Sequence, residues 1–305
     1  MVHNTPQVVI EQIESTLPAV EIRSLRFLGA GDFACAWLVN KQLVVRFARH
    51  AEAEAALRRE AEVLPRIAPF ISTPIPRPEF HEASSPAGLG LVTYPLLRGK
   101  ALTRRRFLSM TDSGRNHCAA SVAQFLRELH IVPLSCAKCI PVFNPLEYYA
   151  ELHTKAEAAL FAHLPPILTA FLRELFHRYT EEAVHFPSHQ VLLHGDFGPD
   201  HILSSIRHFP MLTGIIDFGD MRIGPPAWDI VFLYEDLGIE FMRAFLPHFT
   251  DNPEPLLRET DWFYQLDMIA WAVRETEKKG ASGAHETLAA LERLRRRSKN
   301  ALHLL

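Results

Sequence analysis

The chain has 305 residues, 48% hydrophobic and 22% charged, a balance that suits a folded protein with a sizeable core and excludes a disordered chain. Its formal net charge is -3, and its basic residues cluster at 104–106 and 295–297 without forming the footprint of a nucleic-acid binder. At this length, two packed lobes with a ligand-sized cleft between them are expected.

Residues 1–20 carry Glu11 and Glu14 and lack both a basic lead and an unbroken apolar run, so they do not read as a signal peptide. No stretch approaches the length of a membrane span, and a monomeric, cytoplasmic protein is expected. Cys35, Cys118, Cys136 and Cys139 are too few and too unevenly placed for a disulfide framework. Cys136 and Cys139 form a CxxC with no second ligand pair, which reads as two incidental cysteines in a loop.

Strand-like apolar runs at 25–28, 34–39 and 42–47 are separated by Gly29-Ala30-Gly31-Asp32 and Asn40-Lys41, and predict an antiparallel meander. Residues 52–66 place Ala56, Leu57, Ala61 and Leu64 at helical spacing, before a proline-rich stop at 74–78. Short strands at 80–82 and 89–94 follow, and Pro95 with Gly99 ends this pattern. That break divides the chain into two parts, residues 1–95 and a mostly helical part, 96–305. Helices are predicted over 115–130, 148–163, 167–185, 227–237 and 261–279, with small strands at 191–193, 202–204 and 212–217 embedded among them.

Polar chemistry gathers at the ends of those small strands. Segment 193–203, LHGDFGPDHIL, puts Asp196 in a turn after one strand and a metal-capable His201 five residues later. This is the spacing of a kinase catalytic loop, in which the carboxylate accepts a hydroxyl proton and the later residue orients Mg²⁺. Asp217 follows an apolar strand and precedes Phe218-Gly219, the arrangement of a metal-binding carboxylate. Each Asp taken singly also suits a turn or cap; their joint spacing does not follow from that role. In the first lobe, Gly29, Gly31 and Asp32 form a turn able to aim backbone N–H groups at phosphates, followed by Arg46 on the next strand and Glu60 on the helix. That is the order of a phosphate-holding cation and its helix carboxylate.

With these residues assembled, the chain resembles the aminoglycoside phosphotransferase family, and most resembles its 2″-phosphotransferase branch. The resemblance spans roughly residues 22–281 by motif order and implies an α+β, two-lobed protein-kinase-like fold. It further implies Asp196 as catalytic base, His201 and Asp217 as Mg²⁺ ligands, Arg46 paired with Glu60, and Thr93, Tyr94 and Leu96 as the hinge at the nucleobase of GTP or ATP. Arg46 stands where many relatives carry Lys, and His201 where protein kinases carry Asn. Asp220, Glu235, Asp236, Asp267, Trp271 and Glu275 are expected to hold the aminoglycoside, with 267, 271 and 275 on one helix face. Macrolide kinases, kinases for choline, homoserine or a thiosugar, and a catalytically silent kinase-like binding protein are the alternative readings. Retention of Asp196, Asp217 and Glu60 argues against the silent protein.

Overall fold

The computed structural model describes residues 5–84, 88–186, 189–205 and 212–298. After helix α1 (Pro6–Thr16), three strands run in sequence: β1 (Leu25–Ala30), β2 (Ala34–Val39) and β3 (Leu43–Ala48). Helix α2 (Ala51–Ile67) then crosses to β4 (Glu79–His81) and β5 (Leu91–Pro95). The sheet is antiparallel in the order β1-β2-β3-β5-β4, as the meander reading requires. Strand alternation sorts its side chains: Val45 and Phe47 face outward to a core shared with Val9 and Ile13 of α1, while Val44 and Arg46 face the opposite side. Helix α1 was not expected from the sequence, because only Val9 and Ile13 anchor it and no side chain caps it.

Helix α2 begins at His50, whose Nδ1 accepts the Ala53 N–H at 3.3 Å. Its buried residues Ala53, Ala56, Leu57, Glu60, Val63, Leu64 and Ile67 recur at three- and four-residue spacing, so one face covers the sheet and brings Glu60 inside.

The second lobe opens with β6 (Lys100–Ala101), α3 (Arg104–Leu108) and α4 (Asp112–His130), then α5 (Pro145–Lys155) and α6 (Pro166–Ala183). Four short strands follow, β7 (Val191–Leu193), β8 (Ile202–Ser204), β9 (Leu212–Ile215) and β10 (Arg222–Gly224). Helices α7 (Trp228–Leu237), α8 (Ile239–Phe249), α9 (Pro253–Lys279) and α10 (Ala281–Ser298) complete the described chain. Pairing of β7 with β10, and of β8 with β6 and β9, sets the β7–β8 and β9–β10 loops side by side. Phe125 of α4 fastens both loops: its ring lies 5.3 Å from Phe197 and 6.5 Å from Phe218, and all three rings are fully buried. Each such ring contributes about 1.5 to 3 kcal/mol through burial. The architecture is therefore the α+β, two-lobed kinase-like fold expected from the sequence.

One buried charge in the helical lobe carries a cost. Glu259 of α9 is 5% exposed, and burial alone pushes its carboxyl up to about 7. A folded-state value above the unfolded one gives stability that is present below the unfolded pKa and lost as pH rises through about 7. Glu259→Gln is expected to be near neutral at pH 5 and to stabilise the protein by about 2 kcal/mol at pH 8. Urea unfolding at the two pH values checks this, and equal effects at both would refute it.

Candidate active site

Between the lobes lies a cleft of about 770 Å³, lined from above by Gly29, Gly31, Asp32, Arg46, Tyr94 and Leu96 and from below by Asp196, His201, Asp217 and Asp220. A Cβ added at Gly29 or Gly31 would meet nothing within 4 Å, so the turn borders open space. The Gly31 N–H itself donates to Ala34 O at 3.0 Å. The Leu96 N–H donates to Gln42 O at 2.7 Å, and the Thr93 hydroxyl pairs with His81 Nε2 at 2.9 Å. Thr93 thus turns its side chain to β4, whereas Tyr94 lines the cleft beside Arg46.

Arg46 joins the lobes. Its Nη1 donates to both Glu60 oxygens at 3.0 and 2.8 Å, and its Nη2 donates to Asp217 Oδ1 at 2.7 Å. Burial pushes the Glu60 carboxyl up and Arg46 opposes it; the forked guanidinium keeps this buried pair ionic. Burial would also raise Asp217, but Arg46 and His201 hold it below the usual carboxylate range. Asp217 adopts φ 67°, a left-handed conformation that Asp tolerates and that concentrates at functional sites.

Below the cleft, the Asp196 carbonyl accepts His201 Nδ1–H at 2.8 Å, which leaves Nε2 facing Asp217 Oδ2 at 3.7 Å and Asp200 Oδ2 at 3.6 Å. Burial pushes the Asp196 carboxyl up to about 6, into the range useful for a general base. Among the described residues no three His, Cys, Asp or Glu side chains form a ready-made metal cage. Mg²⁺ asks for less, taking one or two carboxylates together with substrate phosphates and water. The Asp217 carboxylate, with His201 Nε2 beside it, fits that requirement.

Support for this loop comes from Asp229, which the sequence reading did not single out. Its fully buried carboxylate accepts the His194 N–H at 3.1 Å and the Gly195 N–H at 2.9 Å, and meets His130 Nε2 at 3.0 Å. Trp228 Nε1 donates to Gly195 O at 2.9 Å. Gly195 has φ 88°, and a Cβ there would lie 1.9 Å from Asp220 O, so only glycine fits. His194 Nε2 donates to Ile216 O at 3.0 Å, tying the two loops together, and burial lowers its pKa to about 4, which keeps it neutral.

A second hollow of about 400 Å³ is bounded by α7, α9 and α10, lined by Glu235, Asp267 and Trp271 together with Met268, Arg274, Ala290 and Arg293. Asp220 faces the main cleft instead, with Arg222 Nη2 3.6 Å from its carboxylate. Asp236 is exposed, and Asp200 of the catalytic loop helps raise its carboxyl after burial. The structure places Glu275 outside the hollow, where Lys279 takes its carboxylate at 2.7 Å. The helical spacing of 267, 271 and 275 is real, but the cation one turn further on captures the last of them.

Many solved structures resemble this chain, among them the three that follow. The GDP and kanamycin complex of an APH(2″) enzyme is 28% identical, with 94% of this chain and 98% of that one covered at a TM-score of 0.87. The GDP complex of wild-type aminoglycoside 2′-phosphotransferase-IIIa is 26% identical, covering 97% and 100% at a TM-score of 0.88. A macrolide 2′-phosphotransferase from Brachybacterium faecium shares the fold at 20% identity, covering 88% and 92% with a TM-score of 0.63. The model of the phosphotransferase enzyme family known as APH matches residues 27–263, and the chain belongs to that family.

Proposed function

We propose that this protein is an aminoglycoside O-phosphotransferase that transfers the γ-phosphoryl of a nucleoside triphosphate to an aminoglycoside hydroxyl, the 2″-hydroxyl, and so confers antibiotic resistance. The observation that carries this reading is Arg46, bonded at once to Glu60 and to Asp217 in a cleft that also holds Asp196. Such a cation, set between a helix carboxylate and a metal-binding carboxylate, is the phosphate-holding device of kinase-like enzymes. Residues 1–95 then serve the nucleotide and 96–305 the catalysis and acceptor.

In this reading the Asp196 carboxylate accepts the proton of the acceptor hydroxyl as its oxygen attacks the γ-phosphorus. The bond from that phosphorus to the bridging oxygen breaks, and the nucleoside diphosphate leaves with the electron pair. Arg46 orients the phosphates, the 29–32 turn covers them, and His201 holds its tautomer through the Asp196 carbonyl. Asp217 and His201 would hold Mg²⁺ together with the nucleotide phosphates, and the ion would supply charge neutralisation at the transferring group.

Tyr94 is 7% exposed, packs with Leu38 and Val44 and lines the cleft, where its ring would narrow a base pocket. We propose that GTP serves at least as well as ATP. Tyr94→Ala is expected to shift the ATP-to-GTP ratio of kcat/KM toward ATP by about tenfold. Steady-state kinetics with both nucleotides decide this, and a strong ATP preference in the unaltered enzyme would remove the role of Tyr94.

The function itself is tested by incubating the enzyme with each nucleotide and a panel of aminoglycosides and macrolides. Phosphorus NMR of the product locates the new ester. Transfer to a macrolide and to no kanamycin-like or gentamicin-like compound would overturn the acceptor while leaving the kinase chemistry intact.

A further inference from the structure

The carboxylates expected to welcome a polycation are matched by arginines. In the hollow, Glu235 and Asp267 share the lining with Arg274 and Arg293, which rise from two adjacent helices, α9 and α10. Arg274 follows Asp267 by seven residues and Trp271 by three, so all three share one helix face. Both arginines are exposed, whereas Asp267 and Trp271 are half-buried, which sets the guanidiniums at the rim and the carboxylate deeper. Both guanidiniums line the hollow, and neither forms an ion pair among the described residues, which leaves their donors available to a bound ring. Burial raises the Asp267 carboxyl, and Arg274 and Arg222 act against that rise, so the acid already lies within reach of cationic neighbours. The hollow also connects to the catalytic loop electrostatically: Asp267 and Asp236 act on Glu235, and Asp200 acts on Asp236.

We infer that Arg274 and Arg293 are specificity-determining residues that bar additional ammonium groups from the rim of the acceptor hollow, an inference that rests on the aminoglycoside reading above. The acceptor ring that enters presents an ammonium to Asp267 and Glu235 and hydroxyl oxygens to the guanidinium donors. Hydroxyls accept from guanidinium N–H groups, whereas ammonium groups have no lone pair to offer and are repelled. The enzyme therefore favours the acceptor carrying fewer positive charges within a pair otherwise alike.

The experiment compares aminoglycosides that differ by one hydroxyl-to-ammonium exchange, kanamycin A with kanamycin B among them. The unaltered enzyme and its Arg274→Gln, Arg293→Gln and doubly substituted forms are measured at low and high salt. In the double variant, kcat/KM for the more charged member is expected to rise relative to the less charged one by about tenfold, through KM, with the nucleotide KM unchanged. High salt should raise the relative kcat/KM of the more charged member in the unaltered enzyme, by screening the two guanidiniums, and should not raise it in the double variant. An unchanged ratio between pair members, or equal loss for both, overturns the inference and leaves the function standing. Absence of transfer to any aminoglycoside by the unaltered enzyme overturns both.

Discussion

Asp196→Asn is expected to lower kcat by about 10²- to 10⁴-fold while leaving nucleotide KM and the fold close to those of the unaltered enzyme. The geometry explains why so small a change separates chemistry from structure. The loop is held through the Asp196 backbone carbonyl, which accepts both His201 Nδ1–H at 2.8 Å and the Gly198 N–H at 2.9 Å. The carboxylate makes neither bond, and Asn keeps its shape. What Asn lacks is basicity. Burial holds the Asp196 carboxyl up at about 6, so the unaltered enzyme loses its base as pH falls through that value, and a metal ion bound at Asp217 would move this acid limb lower. The variant's residual rate should have no such limb. Pre-steady-state and steady-state rates against pH, with near-ultraviolet circular dichroism as a check on packing, measure both effects. Turnover within a few-fold of the unaltered enzyme would remove Asp196 from the chemistry.

How much was legible beforehand depends on how local the determining contacts are. Both loop motifs are short and lie beside short strands, so Asp196, His201 and Asp217 were found from spacing alone, and the structure sets His201 within 3.8 Å of the other two carboxylates. The Arg46–Glu60 pair is 14 positions apart and was read from the order of strand and helix. Asp229 escaped because its partners lie 34 and 35 positions upstream, and an Asp in a first helical turn ordinarily serves the helix itself. Helix α8 was missed since it carries Pro247 and follows α7 across a single glycine, Gly238 at φ 78°. Arg274 was overlooked for a different reason. Asp267 and Glu275 stand out on α9 as carboxylates at helical spacing, while the cation between them decides what that face can bind.

Asp229 carries the second large effect. Its side chain has no exposure to water and accepts two backbone N–H groups of the catalytic loop, with His130 closing the other side. Asp229→Ala leaves the His194 and Gly195 N–H groups buried without acceptors, each costing about 1 to 3 kcal/mol, and strips His130 of its partner. The expected loss of stability is about 2 to 6 kcal/mol, the cost of two buried N–H groups left without acceptors. Catalysis should fall as well, because Gly195 holds its left-handed φ through the Asp229 and Trp228 bonds and directly precedes Asp196. A displacement of about 1 Å in such a base costs on the order of 10²-fold in rate. Asp229→Asn should be milder in stability, since its amide oxygen still accepts one of the two N–H groups while its NH₂ opposes the other. Urea unfolding and kcat, measured on all three proteins below their unfolding transitions, test the order. If Asp229→Ala unfolds within about 1 kcal/mol of the unaltered protein and turns over normally, the loop is held from elsewhere; the hydrogen bond from His194 Nε2 to Ile216 O, which ties the loop to the neighbouring strand end, would then be the contact to break next.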